Sequence, residues 1–235
     1  TGCISTAQIP KIPGLEGFKG EVYHTGNWPH KEIDFSSKRI AVVGVGSSGI
    51  QSIPVLAEQA RHLTVFQRTP NYSIPSQNEP MTADYEKLWK SDYASRREEM
   101  RYTPHGSLKD LNDKSALSAN EEERQLTYQK RWEIGGAGYL GAFNDLLTNI
   151  ESNDTASEFV REKIREIVKD PVIAEKLSPK TYPIGTKRIC IDSGYFETFN
   201  RENVELVDIN EMPIEKITST GLLAAGTTYC FDAII

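Results

Sequence analysis

Three glycines, Gly44, Gly46 and Gly49, stand in G-x-G-x-x-G spacing within the run Gly44-Val45-Gly46-Ser47-Ser48-Gly49-Ile50-Gln51. The chemistry this spacing supports is the binding of a dinucleotide pyrophosphate. The first glycine permits a tight turn, the second lets the backbone approach the phosphates, and the third lets a helix pack closely on a strand. Ser47 and Ser48 add hydroxyl donors. A helix starting here presents unpaired N–H groups and the positive end of its dipole to an anion. Such a turn works only between a strand and a helix, and the flanking residues predict both. Arg39-Ile-Ala-Val-Val-Gly44 is a short apolar run rich in β-branched residues, the pattern of a buried strand. Residues 50–61 carry Ile53, Val55, Leu56 and Ala60, which predicts a helix, and Leu63 to Phe66 makes a second short strand. Strand, glycine turn, helix and strand compose a βαβ unit, so Gly44 to Gln51 are candidate cofactor-binding residues.

The end of the second strand bears on which dinucleotide. NAD-binding units usually place Asp or Glu there, to bond the ribose 2′-hydroxyl. Here the residues are Phe66-Gln67-Arg68-Thr69-Pro70. Gln67 and Arg68 replace the carboxylate, and Thr69 adds a hydroxyl. A guanidinium matches a phosphate bidentately, so the 2′-phosphate of NADP is favoured. A second cationic pair, Lys187 and Arg188, follows the Gly185-Thr186 turn and precedes a β-like run. By residue type alone it is either a solvated edge or an anion contact.

The elements that must position these residues predict an α/β fold. This is a Rossmann-like domain with a parallel sheet, helices, a small antiparallel strand excursion and a helical insertion. We divide the chain into a linker at 1–36, a dinucleotide-binding domain at 37–76 and 180–235, and a helical insertion at 77–179. Within the insertion Tyr85, Leu88, Trp89 and Tyr93 fall on one helical face. Glu121–Trp132, Tyr139–Ile150 and Asp154–Val168 read as helices, and Thr103–Asn112 as a loop. In the tail, Val204–Ile209, Ile214–Ile217 and Tyr229–Ile235 read as strands, with Gly221 and Gly226 as turns. The chain opens Thr1-Gly2 without Met and ends Phe231-Asp-Ala-Ile-Ile235, and we expect an internal piece of a longer protein.

Bulk properties narrow the function. The 235 residues are 38% hydrophobic and 26% charged, and the net charge is −6. An acidic chain of this kind is no nucleic-acid binder, which needs a basic face. No apolar run reaches the roughly 20 residues of a membrane span. Cys3, Cys190 and Cys230 show neither metal spacing nor a disulfide framework, and His24, His30, His62 and His105 are scattered. The expectation is a cytoplasmic protein with no metal, no membrane and no nucleic-acid partner.

One further motif names a family. Phe18, Gly20, His24, Trp28 and Pro29 stand in F-x-G-x-x-x-H-x-x-x-W-P spacing, which resembles the fingerprint of the Baeyer–Villiger monooxygenases. The similarity continues through Tyr182-Pro-Ile-Gly-Thr-Lys-Arg188 and Tyr195-Phe-Glu-Thr-Phe-Asn-Arg-Glu-Asn-Val-Glu-Leu-Val-Asp208, and covers essentially the whole chain. It implies an FAD- and NADPH-dependent enzyme that uses O2 to insert one oxygen next to a ketone carbonyl, giving an ester or lactone. It further implies that Arg188 is catalytic, stabilising a flavin C4a-peroxide, and that Lys187 contacts the NADP 2′-phosphate. The fingerprint residues would act as a coupling element between the FAD and NADP domains, with a purely structural role for His24 equally open. This chain has no second G-x-G-x-x-G unit for FAD and lacks the acidic partner of the arginine and the C-terminal substrate segment. By itself it should therefore bind NADP, bind no FAD and turn over no ketone. The absent FAD domain would pack on it. The alternatives are an N- or S-oxygenating flavin monooxygenase, whose members carry Tyr or Phe where Trp28-Pro29 stands, and a non-catalytic NADP-binding module. A disulfide-reductase domain would require a cysteine pair.

Overall fold

A computed structural model describes residues 6–103, 106, 108 and 111–235. Cys3, His105, the opening segment 1–5 and parts of the expected 103–112 loop lie outside the described residues. In chain order the strands and helices are β1 (Glu21–Val22), β2 (Arg39–Val43), α1 (Ser47–Gln59), β3 (His62–Gln67), β4 (Ser73–Pro75), α2 (Ala83–Ser91), α3 (Tyr93–Met100), α4 (Glu121–Ile134), α5 (Ile150–Ile167), α6 (Pro171–Leu177), β5 (Cys190–Asp192), α7 (Tyr195–Thr198), β6 (Val204–Asp208), β7 (Ile214–Thr218), β8 (Gly221–Ala224), β9 (Thr227–Cys230) and β10 (Ala233–Ile234). They form two compact units.

The first unit comprises Thr1–Ser73, Val160–Tyr182 and Ile189–Ile235. Its centre is a five-stranded sheet in the order β1-β10-β2-β3-β6, parallel throughout. Ile40–Val42 and Leu63–Gln67 are buried without alternation, as expected of strands covered on both faces. Between β2 and β3 runs α1, which buries Ile50, Ile53, Leu56 and Ala57 on one stripe. A three-stranded antiparallel sheet, β7-β8-β9, contributes Ile217, Leu222 and Ala224 to the same core as Ala41, Phe66, Val207, Phe231 and Ile234. Phe66 meets Tyr229 and Phe231 edge-on at 5.5 and 5.9 Å.

Some element boundaries differ from expectation. Helix α1 begins at Ser47, three residues before Ile50, because Gly46 is its N-cap and both serines are already helical. The expected strand Tyr229–Ile235 is two strands, β9 and β10, separated where Asp232 turns to bond Arg39. Gly221 is not a turn but the first residue of β8, paired with Cys230. A Cβ there would lie 1.8 Å from the Tyr229 carbonyl oxygen, so glycine is required by close strand approach. Gly226 is a turn residue, with φ 77°.

The second unit comprises Ile74–Phe159 and Pro183–Arg188. Tyr128, Tyr139, Phe143 and Phe159 form its aromatic core, with ring centroids 5.4–6.3 Å apart. The expected helix Tyr139–Ile150 is a 3-10 segment, Gly136–Ala142, followed by turns. Asp145 accepts bonds from Ser115 Oγ, Ala116 N and Ser152 Oγ at 2.6, 3.0 and 2.7 Å, which holds the chain out of a helix. Asn149 then accepts from Glu151 N at 2.9 Å, and α5 starts at Ile150 rather than Asp154. Tyr85, Leu88 and Tyr93 are exposed and fall on two helices rather than one.

The units also divide the chain differently from the three expected segments. Residues 160–182 join the first unit, where Gln67 Nε2 bonds Lys176 O, Tyr72 Oη bonds Pro179 O and Asn200 Nδ2 bonds Ile167 O. Residues 183–188 join the second unit, because Asn153 bonds both the N–H and the carbonyl of Ile184 at 3.0 and 2.8 Å. Residues 15–23 are built into the first unit's sheet edge, with Tyr23 N bonding Ile234 O at 2.9 Å.

In the first unit Glu175 accepts from Arg165 Nε at 2.7 Å and from Lys180 Nζ. These bonds, Arg165 first, hold its carboxyl down to about 2. The folded value lies below the unfolded one, so this contribution is present above about pH 4.5 and is lost as pH falls toward 2. All three side chains are partly exposed, so the contribution at neutral pH is about 0.5–1 kcal/mol. We predict that Glu175→Gln lowers the melting temperature at pH 7 and that the gap to wild type closes by pH 2–3. Thermal melts across that range check it, and a gap independent of pH would overturn it.

Candidate functional site

The glycine turn sits at the carboxyl ends of the parallel strands. Val43 N bonds Ile235 O at 2.8 Å, and Gly44 N bonds Phe66 O at 2.9 Å. The turn is therefore pinned to β10 on one side and β3 on the other. The chain leaves β2 toward β3, while β10 flanks β2 on the opposite side. This is a topological switch point, where open α/β sheets bind their ligands. Gly44 has φ 107°, a conformation that disfavours any side chain. A Cβ on Gly49 would lie 2.4 Å from Gly44 O. Gly46 has extended backbone, and a Cβ there would meet no protein atom within 4 Å. The chain itself thus demands glycine at 44 and 49 but not at 46, where the open space is on the outside of the turn. Helix α1 has no side-chain cap, so its first N–H groups face the same space. Uncapped N–H groups, a helix dipole and room beside Gly46 suit a pyrophosphate.

Val45 and Ile50 are buried and anchor the turn, whereas Gly44, Gly46, Ser47 and Ser48 are exposed. Gln51 uses its amide N–H on Ile191 O at 3.2 Å, tying α1 to β5. A cavity of about 730 Å³ opens at the turn. Gly44, Gly46, Ser47, Ser48 and Gly49 line it together with His24, Pro29 and Ile235. The F-x-G-x-x-x-H-x-x-x-W-P motif and the glycine turn, distant in reading order, share this cavity.

The motif reaches the cavity through β1, whose Glu21 N bonds Asp232 O at 3.0 Å. The Phe18 ring lies over Gly20, where a Cβ would be 2.4 Å from Phe18 Cζ and 2.6 Å from Asp232 O. His24 caps a 3-10 turn at Thr25–Asn27, its Nδ1 accepting from Gly26 N at 3.0 Å. The ring proton of neutral His24 therefore sits on Nε2. Trp28 is 38% exposed and packs in an aromatic trio, 5.5 Å from Tyr23 and 6.3 Å from Phe35.

At the end of β3, Gln67 turns inward and is buried, with Nε2 bonded to Lys176 O at 2.7 Å. Of the two residues read as replacing a carboxylate, only Arg68 is exposed, and Thr69 beside it is half-buried. The loop carrying them is pinned by side chains that the linear sequence did not single out. Asn210 Nδ2 bonds Arg68 O. Tyr182 Oη reaches Pro70 O at 2.9 Å, and Asn71 Nδ2 reaches Val45 O at 2.6 Å. The Thr-Pro-Asn run signalled a turn at Asn71, but nothing local could show that its amide reaches 26 residues back.

In the second unit, Lys187 and Arg188 are exposed at the end of the segment 183–188. Thr186 shapes that segment, its N and Oγ1 both bonding Pro183 O, at 3.3 and 2.8 Å. Among the described residues no His, Cys, Asp or Glu group could hold a metal. No helix there is long and apolar enough to cross a membrane.

Comparison with known proteins agrees with this architecture. A family model described as flavin-binding monooxygenase-like matches residues 1–79. The cyclohexanone 1,2-monooxygenase of Acinetobacter sp is 41% identical over 94% of this chain and 40% of its own length. A Baeyer–Villiger monooxygenase of Pseudooceanicola batsensis is 36% identical over all of this chain and 43% of its own length. A phenazine N-monooxygenase of Lysobacter antibioticus is 37% identical, again over the whole chain and 43% of its length. The solved structure of an oxidized steroid monooxygenase bound to NADP superposes with a TM-score of 0.94 at 49% identity, covering 97% of this chain and 44% of that one. The chain thus spans less than half the length of the curated relatives it matches. By fold, motif and these matches, this chain is similar over its whole length to part of the flavin-binding monooxygenases of the Baeyer–Villiger type.

Proposed function

We propose that this chain is the NADP-binding portion of a flavin-dependent Baeyer–Villiger monooxygenase, which inserts one atom of O2 beside a ketone carbonyl to give an ester or lactone. One observation carries the nucleotide half of this reading: the uncapped N-terminus of α1, with Gly46 facing open space at the sheet's switch point. Gly44 to Gly49 hold the pyrophosphate through backbone N–H groups, and Ser47 and Ser48 add hydroxyls. Arg68 and Thr69 take the 2′-phosphate, and Lys187 is a candidate NADP contact on the family resemblance alone. The names of the relatives support the oxygenation half. When bound, NADPH supplies a hydride and FAD supplies the oxygen chemistry, the latter held by a portion of the protein outside this chain. Exposed Ile9, Val22 and Trp28 offer apolar surface for that portion to cover. We assign the protein to the reducing cytoplasm, the default for a chain with few and widely spaced cysteines.

Arg188 is our candidate catalytic residue. A guanidinium keeps its proton at any working pH, so it holds a constant positive charge wherever negative charge builds on oxygen. His24 and Trp28 support the cavity wall rather than acting as an acid–base pair. A second reading, oxygenation at nitrogen, is favoured by the phenazine N-monooxygenase, which is as similar to this chain as the Baeyer–Villiger monooxygenase of Pseudooceanicola batsensis. The products distinguish the two: ester or lactone from a ketone panel supports the first, and N-oxide alone the second.

Arg68→Ala and Lys187→Ala should each weaken NADP binding by about 10–100-fold, the worth of a hydrogen bond to a charged group, and leave NAD binding unchanged. Calorimetric titration with both nucleotides checks this, and equal losses for NADP and NAD would count against the assignment. Arg188→Ala in the full-length protein should still oxidise NADPH, while ester formation falls by about 10²–10³-fold. Ester formation within tenfold of wild type would remove Arg188 from the mechanism.

A further inference from the structure

Asn71 joins the two halves of the nucleotide site. Its Nδ2 donates to the carbonyl of Val45, at 2.6 Å, and Val45 lies between Gly44 and Gly46. This orientation is forced, because a carbonyl only accepts. Oδ1 therefore faces the other way, toward Tyr182 Oη at 3.0 Å. That hydroxyl shares its single hydrogen between Asn71 Oδ1 and Pro70 O, the latter at 2.9 Å. The Tyr182 ring is braced edge-on against Tyr72 at 5.6 Å. Burial raises the Tyr182 phenol to about 12, so it remains a donor at any working pH.

The two backbone segments joined in this way meet different parts of one ligand. The turn at 44–49 would hold the pyrophosphate, and the loop at 68–69 the 2′-phosphate. The covalent frame of the ligand restricts the distance between those groups, so the protein must hold a matching distance. Gly44 N to Phe66 O fixes the strand ends, but Arg68 and Thr69 lie beyond β3. Asn71 is the side chain that bonds directly from this loop to the turn.

We propose that Asn71, oriented by Tyr182, is a positioning residue that sets the spacing between the phosphate-binding turn and the Arg68–Thr69 loop, and so selects the 2′-phosphorylated dinucleotide. The inference rests on the NADP reading above. A ligand that engages only the turn is insensitive to this spacing, whereas one that engages both segments is not. Loss of the tie should therefore change the ratio of NADP to NAD affinity, which general destabilisation would not.

Asn71→Asp is isosteric but sets a carboxylate oxygen against the Val45 carbonyl. It should raise the Kd for NADP by about tenfold or more, the cost of an unpaired polar group, and the Kd for NAD by less than about threefold. Tyr182→Phe should shift the ratio in the same direction by a smaller factor. Asn71→His retains an N–H donor and should recover most of the wild-type ratio. Titrations of the full-length protein with NADP and NAD, alongside melting curves for each variant, provide the readout. Equal loss of both nucleotides in Asn71→Asp, or an unchanged ratio, overturns the inference while leaving the NADP reading intact. A wild-type protein with no preference for NADP over NAD overturns both.

Discussion

The site depends on a helix that begins without a cap. Helix α1 starts at Ser47 with Gly46 at the N-cap position, and a glycine offers no side-chain oxygen to its first N–H groups. In most helices Ser, Thr, Asp or Asn would satisfy one of them. Leaving them open costs stability, which an anion bound from outside would offset. The parallel sheet directs this helix end outward at the position where strand order reverses. β10 and β3 then secure the turn from both sides through Ile235 O and Phe66 O. The turn is accordingly held at its base and open at its outer face.

The Phe18–Pro29 motif acquires a physical role from this arrangement. Gly20 is small because the Phe18 ring and the Asp232 carbonyl occupy the space a side chain would need. This contact seats β1 against β10, which brings His24 and Pro29 to the cavity at the glycine turn. His24 is engaged in capping its own 3-10 turn, and Trp28 in an aromatic trio. A motif that looked like a connector contributes the edge strand β1 and lines the cavity at the glycine turn.

Much of the site was legible because its requirements are local. A buried strand shows as a β-branched run, α1 as an apolar stripe, and the turn as glycine spacing. Arg68 was reached by counting from the turn, since the end of β3 is fixed by the βαβ unit, and the structure leaves it exposed there. Gln67 was misplaced by the same count, because strand residues alternate between faces and a one-residue step sends its amide inward to Lys176 O. The antiparallel excursion was misjudged at Gly221. Glycine signals a turn and a close backbone approach equally well, and only the position of Tyr229 distinguishes them. The expected helix at 139–150 failed because Asp145 bonds partners about 30 residues earlier in the chain, which no local pattern records.

The sequence by itself determined the family resemblance, the βαβ unit and the glycine turn. These follow from residue type and short-range spacing, which set backbone conformation and charge without reference to the rest of the chain. Only the tertiary structure decided that the motif and the turn share a cavity, that a side chain would find room at Gly46 but not at Gly49, and that Asn71 and Tyr182 brace the turn. The first and last of these depend on hydrogen bonds and contacts between residues tens of positions apart, and such distances exist only once the sheet has assembled.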